Sequence, residues 1–164
     1  MPSQVKPIPD GYHSVTPYLV VNDCARAIDF YKRAFGAREL SRMDGPSGKI
    51  GHAEITIGDS RIMMCDEMPG ADSRSPQALR GTTVSLFLYV QDADSVFNQA
   101  VTAGAKVTQP LSDMFWGDRF GKLTDPFGHS WCVATHKEDV APAEMEKRAQ
   151  AAMAKMAQHA KSAG

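Results

Sequence analysis

The amino-acid sequence predicts an α+β fold built from two copies of one strand–helix–three-strand (βαβββ) unit. The first observation is a hairpin between Phe115 and Ala134, where two β-favouring runs flank a turn. In that turn Pro126 presets φ and Gly128 accepts a positive φ. The second observation is a repeat at an offset of 69 or 70 positions, in which Val15, Leu19, Val21, Asp23, Gly51, Gly58 and Ser60 match Val84, Leu88, Val90, Asp92, Gly121, Gly128 and Ser130. Because a unit of this size cannot cover its own apolar sheet face, the two copies are expected to pair.

The composition excludes several classes of protein. The 164 residues suffice for one domain or two small ones. A net charge of −1 gives no positive surface that would attract nucleic acid or an anionic membrane. No apolar run approaches the roughly 20 residues of a membrane span, and the N-terminus lacks the apolar core of a signal peptide. Three scattered cysteines fit reduced thiols. We therefore expect a cytoplasmic protein without nucleic-acid or membrane partners.

The first unit is predicted over residues 12–67, after a flexible lead-in of residues 1–11. Its first strand is expected from Val15 onward, with Pro17 marking an edge strand or a bulge. Asp23 is the expected N-cap of a helix that Gly36 ends, because apolar residues recur between them at helical spacing. The three strands that follow are predicted at Arg38–Met43, Gly51–Ile57 and Arg61–Cys65.

The second unit is predicted over residues 82–137, after a linker loop of residues 68–81 that is rich in Pro, Gly, Ser and Asp. Its helix is expected between an Asp92 N-cap and Gly104. Its later strands are predicted at Lys106–Thr108, Arg119–Thr124 and Ser130–Thr135. Residues 138–164 form a tail with a helix starting near Pro142. A stripe of Met and Ala on that helix predicts docking on its own domain or on a partner subunit.

These motifs resemble one known superfamily. The paired βαβββ units, the N-D-C-A-R-A-I-D-F-Y-K-R-A-F-G-A segment and the W-G-D-R-F-G…D-P-F-G-H hairpin resemble the vicinal oxygen chelate superfamily. Its members include glyoxalase I, fosfomycin-resistance proteins, extradiol dioxygenases and bleomycin-resistance proteins. The chain is most similar to the PhnB-like branch, and the resemblance covers about residues 12–137. It implies the fold of the superfamily, whereas activity varies widely on this fold.

The resemblance also implies where a metal would bind. Enzymes of the superfamily hold a divalent cation with His, Gln or Glu from four strands, in a trough between the two sheets. Carried over residue by residue, those four positions fall on Thr16, Ile62, Ser85 and Cys132. One thiol, two hydroxyls and an alkyl group do not form the carboxylate or imidazole set that such a cation requires. The usual metal site is therefore predicted to be absent, and no cofactor is expected.

Other titratable residues offer a second possibility. His52 and Glu54 lie two apart on one predicted strand and therefore share a face. We favour a hydrogen-bonded pair over a pair of metal ligands. Glu54 is the candidate catalytic residue, because apolar neighbours would raise its pKa and allow it to act as an acid or a base. His13 and His129 are expected at the surface or in turns.

The trough itself is predicted to be aromatic. Strand alternation places Tyr18 beside Thr16 on one face, and Phe87 beside Ser85 on the matching face of the second unit. Trp116 precedes the hairpin, while Trp131 is expected under a helix. A pocket of this kind suits a small molecule, with Arg119 available for an acidic group or for a salt bridge to Asp113 or Asp118. The candidate ligand-binding residues are Thr16, Tyr18, Glu54, Ser85, Phe87, Trp116, Arg119 and Cys132.

Three functions follow. The leading prediction is a metal-independent, PhnB-like homodimer that binds a small molecule in the aromatic trough. The alternative is an enzyme, a metal-dependent glyoxalase-like lyase or a fosfomycin-type transferase, whose rearranged site uses Glu54, His52 and Cys132. The third is a structural or regulatory dimer in which its own side chains fill the trough. The sequence leaves open whether the modules pair within one chain or across two.

Overall fold

The computed structural model describes residues 5–162, so the ends of the predicted lead-in and tail lie outside the described residues. It contains two four-stranded mixed sheets with the strand orders β1-β4-β3-β2 and β5-β8-β7-β6. The first module comprises β1 (Tyr18–Val21), α1 (Cys24–Phe35), β2 (Arg38–Asp44), β3 (Ile50–Ile57) and β4 (Ser60–Asp66). The second comprises β5 (Ser85–Tyr89), α3 (Ala93–Ala103), β6 (Lys106–Asp113), β7 (Asp118–Thr124) and β8 (Ser130–His136). The predicted α+β fold of two βαβββ modules is confirmed.

The local signals in the sequence act as predicted. The Asp23 side chain accepts a hydrogen bond from the Arg26 backbone N–H, and Gly36 ends α1 in the left-handed conformation at φ 67°. Asp92 caps α3 in the same way, through the backbone N–H of Ser95. Gly128 takes φ 89° in the β7–β8 turn. These short-range contacts fix where each helix and hairpin begins and ends.

Two strands have bounds that differ from the predictions, and each has a proline at the point of difference. Strand β1 starts at Tyr18, directly after Pro17, and it is the edge strand of its sheet. Strand β6 extends to Asp113 instead of ending at Thr108, although it contains Pro110. The sheet tolerates this proline because β6 is also an edge strand, and its register with β7 is irregular between Gln109 and Ser112.

The connecting segments carry further helices. The linker contains a short helix, α2 (Pro76–Leu79). The tail forms α4 (Pro142–Ser162), which confirms the predicted C-terminal helix. Arg148 holds its first turns through ion pairs with Glu138 and Glu144, while Met153 and Met156 near its end are 68% and 73% exposed. None of the helices in residues 5–162 is long and apolar enough to cross a membrane.

The two modules share one apolar core through their helices. Helices α1 and α3 pack against each other, and each covers one face of its own sheet. Tyr31 on α1 and Trp131 on β8 are almost fully buried, with ring centroids 5.3 Å apart. Trp131 therefore lies under a helix, as predicted.

A buried carboxylate joins the modules at this point. The Oδ2 atom of Asp125 accepts hydrogen bonds from the Tyr31 hydroxyl at 2.6 Å and from the Trp131 indole N–H at 2.9 Å. Its Oδ1 atom accepts from the backbone N–H groups of Phe127 and His129. His129 is a turn residue as expected, but its Nε2 atom also lies 3.0 Å from the Val20 carbonyl oxygen of the first module.

Tyr31→Phe is expected to lower the free energy of unfolding by about 1–3 kcal/mol, because it leaves a buried carboxylate oxygen with one donor fewer. Urea denaturation measures the change. Tyr18→Phe is the matched control: it removes a hydroxyl from a tyrosine that is 49% exposed, so a change below about 0.5 kcal/mol is expected. Equal losses in the two variants would contradict the role of Asp125.

Candidate functional site

Each sheet has one face without a helix, which we call its open face. In the second module, the register places Phe87 opposite Cys132 and Phe120 opposite Ala134, so these side chains share the open face. Leu86, Leu88 and Val133 point to the other side and join the core under the helices. Ser85 and Phe87 share one face as predicted, and Tyr89 continues the same alternation. The side chains on this face are the ones that solvent can reach.

The open face of the second module carries an aromatic patch, formed by Phe87, Tyr89, Trp116 and Phe120. The ring of Phe120 lies 5.5 Å from the rings of both Phe87 and Trp116, and Phe87 lies 4.9 Å from Tyr89. Phe87 and Tyr89 are 48% and 61% exposed, respectively. Phe120, between Phe87 and Trp116, is buried, so the exposed rings rest on a buried one. Exposed aromatic rings grouped in this way are typical of a binding site in a folded protein.

The buried Asp118 carboxylate holds this patch in place. Its Oδ2 atom accepts hydrogen bonds from the Tyr89 hydroxyl and the Trp116 indole N–H, both at 3.0 Å. Its Oδ1 atom lies 2.7 Å from His136 Nδ1, and His136 Nε2 lies 2.9 Å from Asp139. Burial opposes the charge on Asp118, but the three hydrogen bonds together lower its pKa. Two aromatic side chains therefore keep fixed orientations although one is largely exposed.

The open face of the first module is more polar. Tyr18 pairs with Met63, and Met63 pairs with Glu54, so the three side chains lie across β1, β4 and β3. His52 Nε2 lies 3.3 Å from Glu54 Oε1, which is the predicted hydrogen-bonded pair, and His52 Nδ1 lies 3.2 Å from the Tyr18 hydroxyl. Burial, with Cys65 as neighbour, raises the pKa of Tyr18 to about 12, so its hydroxyl remains neutral.

The predicted acid–base role of Glu54 conflicts with its surroundings. The Tyr12 hydroxyl donates a hydrogen bond to Glu54 Oε2, and this bond lowers the pKa of the carboxyl group, with His52 and Arg61 adding to the effect. The predicted raised pKa is therefore wrong. Tyr12 directly follows the predicted lead-in of residues 1–11, and its side chain packs on the open face. Sequence alternation within β3 does not predict that contact. A carboxylate of this kind accepts hydrogen bonds and is a poor general acid at neutral pH.

Of the four positions that the superfamily uses for metal, one was assigned to the wrong residue. Ile62 pairs with Ile55 and is buried under the helix, whereas Met63 faces the open side as the counterpart of Cys132. The β7–β8 turn holds one residue more than its equivalent in the first module. The offset between modules is therefore 69 on β4, and an assumed offset of 70 moves the residue to the opposite face.

The corrected set is Thr16, Met63, Ser85 and Cys132. A thioether, a thiol and two hydroxyls do not fit a hard or borderline divalent cation any better than the predicted set. Within residues 5–162, no group of three His, Cys, Asp or Glu side chains lies close enough to hold a metal ion. Burial raises the pKa of the Cys132 thiol, so it is mainly protonated at neutral pH and a weak nucleophile.

Arg119 does not join the open face. Its guanidinium forms a two-point ion pair with Asp94 at the start of α3, at 2.6 and 2.8 Å, and a further contact with Asp113 at 3.3 Å. Of the two predicted ion-pair partners, Asp113 is observed and Asp118 is not. Because Arg119 neighbours Phe120 on the same strand, the two side chains point to opposite faces.

Within one chain, the predicted site residues form two separate groups. Thr16, Tyr18 and Glu54 lie with the first module, and Ser85, Phe87, Trp116 and Cys132 lie with the second. A crevice of about 260 Å³ runs between the two modules and includes Thr16, Arg61 and Phe87. This crevice is slightly smaller than most small-molecule pockets. Neither open face is covered by the other module, so Tyr18 and Phe87 are about half exposed.

The sequence reasoning missed several residues of these faces. Phe120 and Asp118 belong to the quoted hairpin motif, and continuing the alternation through β7 would have placed both on the open face. His136 is the last residue of β8 and could have been found by the same alternation. Tyr12 and Arg61 meet only because the segment before β1 folds back over the sheet, and no periodic signal predicts that contact.

Comparisons with known proteins agree with this architecture. The family model of the glyoxalase/bleomycin resistance protein/dioxygenase superfamily matches residues 11–133. The chain belongs to this superfamily. An uncharacterized protein of Mycobacterium tuberculosis, Rv0887c, is 45% identical over 130 residues, which is 77% of this chain and 76% of that protein. The superfamily predicted from the sequence motifs is confirmed.

Two solved structures illustrate the shared fold. TioX from Micromonospora sp. ML1 superposes with a TM-score of 0.59 at 29% identity, covering 79% of this chain and all of that one. The PhnB protein from Bacillus cereus, described as a putative 3-demethylubiquinone-9 3-methyltransferase, superposes with a TM-score of 0.59 at 21% identity and covers 75% and 99% of the two chains. The family model ends at residue 133, so α4 lies outside the region that it matches.

His136→Gln is expected to destabilise the protein more at about pH 5.5 than at about pH 9. Hydrogen bonds to Asp118 and Asp139 raise the pKa of His136, so its contribution is complete below the unfolded value near 6.5 and is lost as pH rises through the folded value. The lowered pKa of Asp118 keeps its own contribution present above about pH 4. Urea denaturation at both pH values measures this difference.

The exposed His13 provides the control, since His13→Gln is expected to change stability equally little at both pH values. If His136→Gln costs the same stability at pH 5.5 and at pH 9, the charged pair beneath the aromatic patch is not formed.

Proposed function

We propose that this superfamily member binds a planar aromatic small molecule on the aromatic patch and does so without a metal. The supporting observation is the combination of exposed rings and a buried anchor: Phe87 and Tyr89 are about half exposed, while Asp118 fixes Tyr89 and Trp116. Rings held in place lose little conformational freedom when a ligand stacks on them. Offset or edge-on contacts of this kind each contribute about 0.5–1.5 kcal/mol beyond burial.

The chemistry of the titratable groups favours binding over catalysis. The buried Cys132 thiol has a raised pKa, and the Glu54 carboxyl group has a lowered one. Neither group has the pKa of an activated nucleophile or of a general acid near neutral pH. The donor set Thr16, Met63, Ser85 and Cys132 supports metal-independent binding, because it offers neither a carboxylate nor an imidazole to a divalent cation.

Zn²⁺, Ni²⁺, Mn²⁺ and Fe²⁺ are each expected to leave the melting temperature unchanged and to copurify at far below one ion per chain. A specific metal at one hundred times its dissociation constant would stabilise the fold by about 2.7 kcal/mol, which a thermal scan detects. Differential scanning fluorimetry and metal analysis, with a chelator-treated sample as control, provide the measurement. A near-stoichiometric metal that raises the melting temperature would overturn the metal-independent proposal.

We further propose that two chains complete the trough. Within one chain the modules meet through α1 and α3, so neither open face is covered by the other module. The open face of the first module presents Tyr18, Met63 and Glu54, and that of the second presents the aromatic patch. Covering one with the other in a two-fold dimer buries both exposed surfaces and forms two equivalent sites. In this arrangement the homodimer predicted from the sequence would be required for ligand binding, because each site contains one open face from each chain.

A mixing experiment distinguishes sites across chains from sites within a chain. Tyr18→Ala damages the first module's half of the site and Trp116→Ala damages the second module's half. Each variant alone is expected to lose binding of naphthalene in equilibrium dialysis. After unfolding and refolding together in equal amounts, about half of the dimers are mixed, and each mixed dimer holds one intact site. About a quarter of the wild-type binding capacity is therefore expected to return.

The control is refolding each variant alone, which is expected to restore nothing. If the two halves of a site belong to one chain, the mixture also restores nothing, because every site then carries one substitution. Sedimentation analysis of each variant confirms that it still assembles, so that a loss of binding is not a loss of the dimer.

A further inference from the structure

Residues 7–14, which join the end of the predicted lead-in to the start of the first module, form a strap across the open face of that module. The backbone N–H of Tyr12 bonds to the Pro9 carbonyl oxygen at 3.1 Å, which closes a turn, and Gly11 takes φ 82°. A Cβ atom at Gly11 would lie 2.7 Å from Arg61 Nη2, so the strap backbone rests directly on this arginine. Between the strap and the sheet lies a cavity of about 400 Å³, lined in part by Thr16, Glu54 and Met63.

Tyr12 sits on this face as a ligand would. Its hydroxyl donates to Glu54 Oε2, and the guanidinium carbon of Arg61 lies 4.4 Å from the centroid of its ring. Glu54 belongs to β3 and Arg61 to β4, so the sheet supplies both contacts. Both a hydrogen bond to a charged acceptor and a cation–π contact favour an aromatic hydroxyl group at this position.

The charges at this point select the kind of group that fits. Arg61 Nη1 lies 3.7 Å from Glu54 Oε2, so the positive and negative charges largely offset each other. A cationic ligand would meet Arg61, and an anionic ligand would meet Glu54. A neutral ring with a hydroxyl group satisfies both, because its face accepts the guanidinium and its hydroxyl donates to the carboxylate.

The strap is held weakly enough to leave. Residues 5–11 are exposed, and the ion pair between Lys6 and Asp10 joins side chains that are 68% and 82% exposed. Exposed pairs of this kind stabilise little. Tyr12 thus provides the main contact of the strap with Glu54 and Arg61, and its release opens the site without breaking a strand or a helix.

We propose that Glu54 and Arg61 form a subsite for a hydroxyl-bearing aromatic ring of the ligand, and that Tyr12 occupies this subsite in the ligand-free protein. The inference rests on the proposed function, because it assigns the part of the ligand that the first module's face would hold while the aromatic patch holds the rest. The strap then acts as a competitor within the chain. Only molecules in which Tyr12 has left the subsite can bind the ligand there. The apparent affinity is therefore the intrinsic affinity multiplied by the fraction of such molecules.

The test compares 2-naphthol with naphthalene, which share a ring system and differ by one hydroxyl. In the full-length chain, Tyr12→Ala is expected to tighten 2-naphthol binding by about tenfold and naphthalene binding far less, since only the hydroxyl gains the vacated carboxylate. Adding Glu54→Gln to Tyr12→Ala is expected to remove most of the preference for 2-naphthol. Met156→Ala, at a position of α4 that is 73% exposed and lines neither this cavity nor the crevice between the modules, is the control and is expected to change neither dissociation constant.

The outcomes separate this inference from the proposed function. Unchanged 2-naphthol affinity in Tyr12→Ala, or a preference that survives Glu54→Gln, overturns the subsite. No binding of 2-naphthol to Tyr12→Ala overturns it as well. The proposed function is judged independently, by whether Trp116→Ala weakens naphthalene binding in the chain that retains Tyr12. Melting temperatures of all variants, compared with the unsubstituted chain, exclude unfolding as the cause of any loss.

Discussion

The buried carboxylate of Asp125 is the interaction on which the relative placement of the two modules depends. It bonds at once to Tyr31 on the helix of the first module, to Trp131 on a strand of the second, and to the backbone of its own turn. Since a buried carboxylate without donors is very unfavourable, the arrangement is stable only when both modules supply theirs. Asp125 thereby fixes α1 against β8 of the second module, while α1 and α3 pack against each other directly.

Placing the helices inside has a direct consequence for function. Each sheet uses one face for the shared core, so its other face is available for a ligand or a partner. The two faces are chemically different. The second module presents stacked rings above Asp118, whereas the first presents a carboxylate, an imidazole and a guanidinium around a tyrosine. A trough made from one of each combines stacking on one wall with hydrogen bonding on the other, which suits a ligand that is flat and carries a polar substituent.

The internal repeat also shows that both modules lack the usual metal ligands of the superfamily. Equivalent positions on the two open faces hold Thr16 and Ser85, and Met63 and Cys132, so both modules lack strong ligands at the same places. The counterpart of Glu54 is Lys122, because Glu54 lies opposite Met63 and Lys122 lies opposite Cys132. The charge at this equivalent position therefore differs between the two open faces.

The sequence by itself determined the units of this fold and the order in which they occur. Asp23 and Asp92 cap helices, Gly36 and Gly128 end elements at positive φ, and alternation assigns Phe87 and Ser85 to one face, all through contacts within a few residues. The motifs also identified the superfamily. Only the tertiary structure decided that Ile62 is buried while Met63 is open, that Arg119 turns to Asp94, and that Tyr12 binds Glu54. Those outcomes depend on turn length and on contacts between residues far apart in the chain. Local propensity and periodicity reflect only near neighbours in the chain, so they predict neither.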